Sequence, residues 1–415
     1  MAATDRLRVL IAGGGVAGLE ALLALRDLAA DRVDITVLAP EREFVYRPMS
    51  VGEPFARGRA ERRALDVIVD DAGGTLATGA LRSVDAQNHA VTTAEGDRVD
   101  YDALLIAIGA HSRPVYDHIQ TWTPERDPEV FGGVLRDLDE GYTKRIAFVV
   151  PPGATWPLPA YELALMTAWQ ASSMGQDDVD VAVYTPEDAP LSLFGPEATA
   201  ALREDLDEAG VRVETGVFVQ QDGRTLVLQP GRRTLEAQRT VALPAADPHH
   251  LDGVPVDTRG FIPVDLHGRV AGLADVWAAG DAIAFPIKQG GLAAQQADAA
   301  AEDIAARAGA DVDPKPFKPV LRGVVLTGRG KRWIRTELDE GADEGEAERH
   351  ALWWPPTKVA GRYLSPYLAT LEGTPAREGD VPPGQPVELD VEREVPSAAD
   401  ALRVARRREA TGATG

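Results

Sequence analysis

A glycine-rich turn between an apolar run and an alanine- and leucine-rich segment is the feature that most constrains the fold of this chain. The apolar run covers residues 7–12, and the turn after it has the pattern G-x-G-x-x-G at Gly13, Gly15 and Gly18. In this pattern the first glycine permits a tight turn, the second lets a pyrophosphate approach the backbone, and the third brings helix and strand close together. The sequence therefore predicts a β-α-β unit with a dinucleotide at the N-terminus of its first helix.

A second motif, far along the chain, narrows the choice of dinucleotide. Residues 274–279 are predicted as a strand, and Gly280 and Asp281 follow it. An aspartate carboxylate in that position is suited to accept hydrogen bonds from the hydroxyls of a sugar alcohol. A glycine turn near the start and a Gly-Asp strand much later resemble the two-part FAD site of flavoproteins with two dinucleotide-binding domains. FAD is therefore the expected cofactor.

Composition excludes several classes of function. The 415 residues carry 65 acidic and 43 basic side chains, a formal net charge of −22, which argues against a nucleic-acid partner. The chain has no cysteine, so disulfides, thiolate metal sites and cysteine nucleophiles are excluded. No histidine spacing predicts a metal site, and His249 and His250 are expected to be exposed. No signal peptide or membrane span is predicted, so a cytoplasmic location is expected.

The expected fold is α/β, with two Rossmann-like dinucleotide-binding domains and a small C-terminal segment. Residues 1–142 and 265–312 are predicted to form one discontinuous FAD-binding domain. Residues 143–264 are predicted to form a second, degenerate NAD(P)-type domain between them. A cluster of three prolines marks the start of the C-terminal segment, residues 313–373, and residues 374–415 form a flexible tail rich in proline and charge.

Further motifs identify a family. Residues 44–48 form an aromatic loop, residues 103–109 a buried strand that ends in glycine, and residues 285–297 a glycine-containing approach to an alanine-rich helix. Together with the glycine turn and the Gly-Asp strand, these motifs make residues 6–370 resemble one branch of the pyridine nucleotide-disulfide oxidoreductase superfamily. That branch contains the sulfide:quinone oxidoreductases and the type II NADH dehydrogenases.

The resemblance implies an FAD-dependent oxidoreductase and assigns site residues. In the family, the segment equivalent to residues 285–297 passes the isoalloxazine ring, and a helix N-terminus there stabilises negative charge on the reduced ring. Lys288 is the candidate catalytic residue through its charge, with a solvated loop lysine as the alternative. The predicted cofactor-binding residues are Gly13, Gly15, Val16, Ala17, Gly18, Glu41, Arg47, Ala107, Gly109, Gly280, Asp281, Lys288, Gly291 and Leu292, and no metal ligand is predicted.

Three departures from the family pattern limit the chemistry. Members that oxidise NADH carry a second glycine-rich turn, whereas residues 150–162 retain Gly153 among four prolines and a tryptophan. Proline has no backbone N–H for a pyrophosphate, so pyridine nucleotide binding in the usual mode is not expected. Members that oxidise sulfide use paired cysteines, which this chain lacks. Where a ribose-binding acid usually closes the second strand, Ala39 and Pro40 intervene and Glu41 is the nearest candidate.

The sequence leaves alternatives open for the function and for one segment. The expected function is electron transfer from an unidentified small-molecule donor through FAD to a quinone or another acceptor. The alternatives are an NAD(P)H dehydrogenase with an atypical nucleotide site and a catalytically decayed flavin-binding protein that acts through a partner. The aromatic segment 353–367 either packs on the protein or in a homodimer contact, which is favoured, or attaches the chain peripherally to the inner face of the membrane. Gln295 and Gln296 are expected to cap a helix or face solvent rather than bind quinone.

Overall fold

The computed structural model describes residues 6–124, 127–338 and 345–373. These residues have the predicted α/β fold with parallel sheets. The predicted tail, residues 374–415, lies outside the described residues. The helices are α1 (Val16–Ala29), α2 (Leu65–Asp71), α3 (Asp127–Asp139), α4 (Leu158–Ser173), α5 (Pro196–Glu208), α6 (Gly290–Arg307) and α7 (Leu364–Leu371).

The strands fall into two large parallel sheets and several small antiparallel ones. In chain order they are β1 (Leu7–Ala12), β2 (Val33–Ala39), β3 (Glu43–Tyr46), β4 (Glu61–Ala64), β5 (Thr75–Thr78), β6 (Leu81–Asp85), β7 (Ala90–Thr93), β8 (Arg98–Asp100), β9 (Ala103–Ile106), β10 (Ala110–Arg113), β11 (Gln120–Thr121), β12 (Arg145–Val149), β13 (Asp180–Tyr184), β14 (Arg212–Glu214), β15 (Phe218–Asp222), β16 (Thr225–Gln229), β17 (Arg233–Thr234), β18 (Arg239–Ala242), β19 (Ala245–Pro248), β20 (Val276–Ala278), β21 (Val320–Leu326), β22 (Lys331–Glu337) and β23 (Glu346–Glu348).

The first large sheet joins the two ends of a discontinuous unit. Its five strands are parallel and lie in the order β20-β9-β1-β2-β5. The strand before Gly280 therefore stands in the same sheet as the strand before Gly13. On one face, Ile11 shares a hydrophobic core with Leu22 of α1 and Ala301 of α6, and the two helices pack against each other. Buried apolar strands under helices are typical of parallel sheets.

The second large sheet has the order β11-β18-β12-β13-β14 and is also parallel. It begins upstream of the boundary predicted at residue 143, because β11 is one of its strands and α3 contributes Phe131 to its core. A strand of two residues is too short to carry an apolar pattern, so β11 was not predicted. The pair β10 and β19 runs antiparallel and connects the two units.

A buried ion pair fastens the C-terminal sheet to α5. Strands β21, β22 and β23 are antiparallel. Arg332 on β22 donates to both carboxylate oxygens of Asp205 at 2.9 and 2.8 Å, and both side chains are buried. The exposed Glu204 adds a contact at 3.1 Å. When both charges of an ion pair are removed from water, the loss of one partner leaves the other charge buried without compensation, which lowers stability strongly.

A second buried carboxylate holds the last described helix. The carboxylate oxygens of Glu20 on α1 accept hydrogen bonds from the backbone N–H groups of Tyr363 and Leu364, at 2.7 and 2.8 Å. Burial raises the pKa of Glu20, and burial together with the neighbouring Glu20 carboxyl raises the pKa of Asp298 on α6. The start of α7 is thus fixed to the first helix of the chain.

The aromatic segment 353–367 packs on the protein. Trp353 is 1% exposed, and its ring lies edge-on to Trp333 with centroids 4.6 Å apart. Its indole N–H donates to the carbonyl oxygen of Thr357 at 2.9 Å, and the hydroxyl of Tyr367 donates to a carboxylate of α2 at 2.8 Å. These contacts agree with the favoured interpretation of the sequence, in which the aromatic segment packs on the protein. Within the described ranges, no helix combines the length and the apolar character needed to cross a bilayer.

The Arg332 ion pair generates a stability prediction. Asp205→Ala should lower the free energy of unfolding by about 3 kcal/mol, because Arg332 then stays buried with one exposed partner. The matched control Glu204→Ala removes an exposed partner and should cost less than about 1 kcal/mol. Urea unfolding followed by circular dichroism measures both. Equal losses in the two variants would contradict the assignment of the buried pair as the main attachment.

Candidate functional site

The glycine turn after β1 is tightly packed on one side and open on the other. Gly13 has a φ of +125°, and a Cβ there would overlap the carbonyl oxygen of Ala107. A Cβ at Gly18 would overlap the carbonyl oxygen of Gly13. A Cβ at Gly15 would meet nothing within 4 Å. The first and third glycines are therefore required by the packing of the protein, and the second faces open space.

Helix α1 presents an uncapped N-terminus to that space. Its N-cap, Gly15, has no side chain, and the first turn contains no acidic residue. The first N–H groups of such a helix are free to bind an anion. Ala17 in this turn is buried, and a Cβ at Gly280 would lie 3.2 Å from the Cβ of Ala17. The fold thus brings the glycine turn and the Gly-Asp strand together.

Two glutamines of α6 fix the surroundings of the Gly-Asp turn. Gly280, with a φ of +77°, donates its N–H to the side-chain oxygen of Gln296 at 2.9 Å. Gln295 bonds both backbone groups of Val320, each at 2.9 Å. The expectation that these glutamines cap a helix or face solvent was wrong. They join α6 to the Gly-Asp turn on one side and to the C-terminal sheet on the other.

Asp281 and Lys288 are largely buried charges that affect each other's pKa. Burial raises the pKa of Asp281, and the positive charge of Lys288 lowers it. Burial lowers the pKa of Lys288 to about 8, against the opposing effect of Asp281. The Lys288 ammonium donates to the carbonyl oxygen of Ile283 and lies 3.9 Å from the centre of the Phe261 ring. Lys288 is therefore a buried, engaged side chain rather than a solvated loop lysine.

These residues border one cavity of about 320 Å³. Its walls come from the glycine turn, the aromatic loop, the starts of α4 and α6, strand β21 and the segment before α7. Of the predicted site residues, Gly15, Val16, Arg47, Asp281 and Lys288 line it. Residues without an assigned role in the sequence also line it, among them Trp156, Leu158, Glu162, Arg322 and Lys358.

Nine of the fourteen predicted cofactor-binding residues lie outside the lining, among them Ala107, Gly109, Gly291 and Leu292. Ala107 packs its carbonyl against Gly13, and Gly109 has a φ of +72° at an open position. Leu292 is buried, and its N–H donates at 2.8 Å to the side chain of Gln289, which is the N-cap of α6. Gly291 packs against the same glutamine side chain. These residues shape the turns around the cavity.

Glu41 lies apart from this cavity, near two histidine rings in tilted contact. It is exposed and does not line the cavity. The rings of His111 and His249 have centroids 3.8 Å apart. Burial and His111 lower the pKa of His249, while Glu41 and Asp247 raise it. The expected exposure of His249 was therefore wrong, whereas His250 is exposed. Among the described residues, no three His, Asp or Glu side chains are grouped as metal ligands.

A buried ion pair on the cavity wall was not predicted. The ammonium of Lys358 lies 2.5 Å from a carboxylate oxygen of Glu162, and both side chains are buried. The same oxygen accepts the N–H of Leu326 at 2.9 Å, whereas Oε2 of Glu162 is buried without a hydrogen-bond partner. Burial raises the pKa of Glu162 and lowers that of Lys358. The sequence feature that could have indicated this ion pair is Glu162 itself, a single acidic residue in the otherwise apolar first half of α4.

The second glycine turn does not have the form of a nucleotide site. Around Gly153, prolines replace residues that would donate backbone N–H groups, and Trp156 packs 5.9 Å from Phe194 between ring centroids. Glu187 follows β13, close to where a dinucleotide-binding domain carries its ribose-binding acid. Its carboxylate accepts hydrogen bonds from the hydroxyls of Tyr161 and Thr185, at 2.6 and 2.9 Å. One oxygen of this acid, Oε2, is therefore engaged inside the protein, whereas Oε1 is buried without a hydrogen-bond partner.

Comparison with known families agrees with this architecture. The family model described as pyridine nucleotide-disulphide oxidoreductase matches residues 7–149 and 159–302. The chain belongs to this family. The predicted superfamily is thereby confirmed. The gap between the two matched stretches contains the proline-rich replacement of the second glycine turn.

Curated relatives are distant. Apoptosis-inducing factor 3 of Mus musculus is 27% identical over 295 residues, which is 67% of this chain and 46% of that protein. The match thus spans less than half the length of the mouse relative. An NADH dehydrogenase-like protein of Mycobacterium tuberculosis is 28% identical over 298 residues, which is 67% of this chain and 73% of that protein.

Solved structures share the fold. The sulfide:quinone oxidoreductase of Aquifex aeolicus has a TM-score of 0.71 at 18% identity, covering 82% of this chain and 86% of its own. A ferredoxin reductase from Rhodopseudomonas palustris has a TM-score of 0.59 at 20% identity, covering 80% and 82%. At these identities the likeness concerns the arrangement of the domains and not the choice of substrate.

Proposed function

We propose that the chain is an FAD-dependent oxidoreductase that passes electrons from a small-molecule donor through the flavin to a quinone or another acceptor. One observation carries the proposal: the open glycine turn, the uncapped start of α1 and Asp281 border the same cavity. The space at Gly15 fits a pyrophosphate next to helix N–H groups, and the Asp281 carboxylate fits the hydroxyls of a sugar alcohol. Bound FAD supplies reversible transfer of two electrons.

The other predicted residues take supporting parts in this proposal. Gly13, Gly18 and Gly280 hold the turns in place, and Val16 borders the cofactor. The residues that pack around these turns are Ala17, Ala107, Gly109, Gly291 and Leu292. Arg47 is exposed at the cavity and Glu41 lies beyond the second strand, so both belong to the outer part of the cofactor site.

Lys288 acts in this proposal by positioning rather than by contact with a reacting atom. Its ammonium is already bonded to the Ile283 carbonyl and stacked on Phe261. Its charge offsets part of the cost of burying Asp281. A positive charge near the flavin also favours the reduced, more negative ring.

Glu162 is proposed to move protons. Reduction of a quinone consumes two protons with two electrons, so a proton donor is needed inside the cavity. Oε2 of Glu162 is free of hydrogen bonds, while Lys358 and Leu326 hold Oε1. Burial raises the pKa of this carboxyl, and Lys358 lowers it. Such a carboxyl can carry a proton at one oxygen without losing its position.

The donor and the location stay proposals from the sequence. The relative named NADH dehydrogenase-like favours the alternative in which NAD(P)H is the donor. The proline-rich turn and the engaged Glu187 favour another donor. Sulfide chemistry through cysteines has no residue to use in this sequence. A cytoplasmic location, peripheral attachment to the inner face of the membrane and homodimer formation stay predictions.

The cofactor assignment predicts different failures at two glycines. Gly15→Val should give a folded protein that no longer retains FAD, because the added side chain enters open space beside the turn. Gly18→Ala should lower the thermal midpoint, since its Cβ overlaps a backbone carbonyl. Asp281→Ala should weaken FAD affinity by about 1.5–3 kcal/mol through loss of a charged hydrogen-bond acceptor.

Flavin content after gel filtration and thermal melting measure these variants. Wild-type protein that stays colourless after incubation with FAD overturns the assignment. Turnover of the flavin with any donor and acceptor separates an enzyme from a catalytically decayed flavin-binding protein.

The atypical second turn predicts poor reduction by NADH. Mixed anaerobically with NADH, the holoprotein should keep its visible flavin absorbance, because prolines remove the backbone donors that a pyrophosphate needs. Dithionite provides the control for full reduction. Rapid bleaching by micromolar NADH would show that the second unit binds the nucleotide by another route, and the NAD(P)H dehydrogenase alternative would then replace the proposal.

The proton role predicts a selective defect at Glu162. Glu162→Gln retains groups that can bond Lys358 and Leu326 but cannot release a proton, so reoxidation of the reduced protein by a soluble quinone should slow about 100-fold. FAD content should not change. The matched control Glu187→Gln alters a half-buried acid that does not line the cavity and should leave the rate unchanged. Equal rates in wild type and Glu162→Gln would remove Glu162 from the proton route.

A further inference from the structure

Arg322 is a buried cation on the wall of the cavity. It lies on β21 and is 7% exposed. Gln289 donates to its backbone carbonyl oxygen at 3.1 Å, but its side-chain Nε is buried with no hydrogen-bond partner. Among the described residues, no carboxylate forms an ion pair with this guanidinium. A buried charge left alone is costly, so an unpaired arginine at a cavity calls for a ligand.

Neighbouring arginines of the same sheet are paired. Arg335, opposite Arg322 across the β21–β22 ladder, forms ion pairs with Glu337 at 2.9 Å and Glu346 at 2.7 Å. Arg332 is paired with Asp205. Carboxylates of the sheet thus pair with Arg335 and a carboxylate of α5 pairs with Arg332, whereas Arg322 forms no ion pair among the described residues.

The remaining charges of the cavity lining are already engaged or exposed. Lys358 is paired with Glu162, and Lys288 is bonded to a carbonyl oxygen next to Asp281. Arg47 is exposed. The lining thus has four cations against two acids, in a chain whose formal charge is −22. This local excess of positive charge attracts small anions.

We propose that Arg322 binds the carboxylate of a small organic acid, which is the co-substrate that meets the flavin in this cavity. The carboxylate serves for binding and does not itself react. The proposal rests on the proposed flavin function and names the class of its substrate.

The chemistry of the wall favours an organic carboxylate. The planar guanidinium of arginine matches the two oxygens of a carboxylate. Trp156, Leu158 and Val324 line the same cavity and offer apolar surface to a carbon skeleton. Burial and the nearby Arg335 lower the pKa of Arg322 to about 10, against the opposing effect of the Glu337 carboxylate, so the guanidinium is still protonated at neutral pH.

Sodium benzoate is the probe, and its neutral isostere benzamide is the control at equal ionic strength. Binding is followed on the FAD-loaded protein by changes in flavin absorbance and, independently of flavin, by the thermal midpoint. Benzoate should shift both signals and benzamide neither. Arg322→Gln should weaken the benzoate Kd by about tenfold or more, because a charged bidentate contact is lost. Arg322→Lys keeps the charge without the fork and should bind with intermediate affinity.

Arg224→Gln removes an exposed arginine in the turn between β15 and β16 and should leave the Kd unchanged. The proposal is overturned if benzoate does not bind the wild-type protein or binds wild type, Arg322→Gln and Arg322→Lys equally. It is also overturned if Arg322→Gln changes the flavin midpoint potential alone, since Arg322 would then serve the reduced ring. If the wild-type protein takes up no FAD but still gains thermal stability from benzoate, the proposed flavin function is wrong. The carboxylate site at Arg322 is then still supported.

Discussion

The backbone contact between Gly18 and the carbonyl of Gly13 sets the positions of the parts around the cavity. It fixes α1 against β1, and α6 packs on α1 in turn. From this arrangement follow the closeness of Ala17 to Gly280 and the direction of α6 toward the cavity. A side chain at Gly18 would push α1 from the sheet and move α6 with it, and a side chain at Gly13 would collide with the carbonyl of Ala107. Backbone crowding at one turn is therefore the condition for the site.

Three buried carboxylates attach the C-terminal segment, and each belongs to a different helix. Glu20 of α1 holds the start of α7, Glu162 of α4 pairs with Lys358, and Asp205 of α5 pairs with Arg332. Buried ionic contacts of this kind add little net stability compared with apolar packing, but breaking one is costly. Such contacts favour one position of the C-terminal segment over other positions that would bury the same apolar area. Because the segment forms one wall of the cavity, this selection also fixes the cavity.

The sequence predicted those parts whose signal is local. The first strand, the glycine turn, β20 and β21 follow from apolar runs and glycine spacing within a few residues. The Glu162–Lys358 pair joins residues 196 positions apart, and no local pattern contains that distance. The burial of Arg322 was not predicted either, because an arginine in a strand is ordinarily exposed. The contact between the rings of His111 and His249 likewise depends on the pairing of β10 with β19, which was not predicted from the sequence.

The hold of Glu20 on α7 has a consequence for the order in which the molecule assembles. The carboxylate and its two backbone donors are 343 and 344 residues apart along the chain. The edge strand β20 also arrives long after its neighbour β9. During synthesis, α1 therefore emerges before the backbone groups that bind Glu20. The strands of the second large sheet are also made before the first large sheet can be completed by β20. Contacts of such long range close slowly. The growing chain therefore carries an incomplete first sheet and helix layer until α7 has left the ribosome.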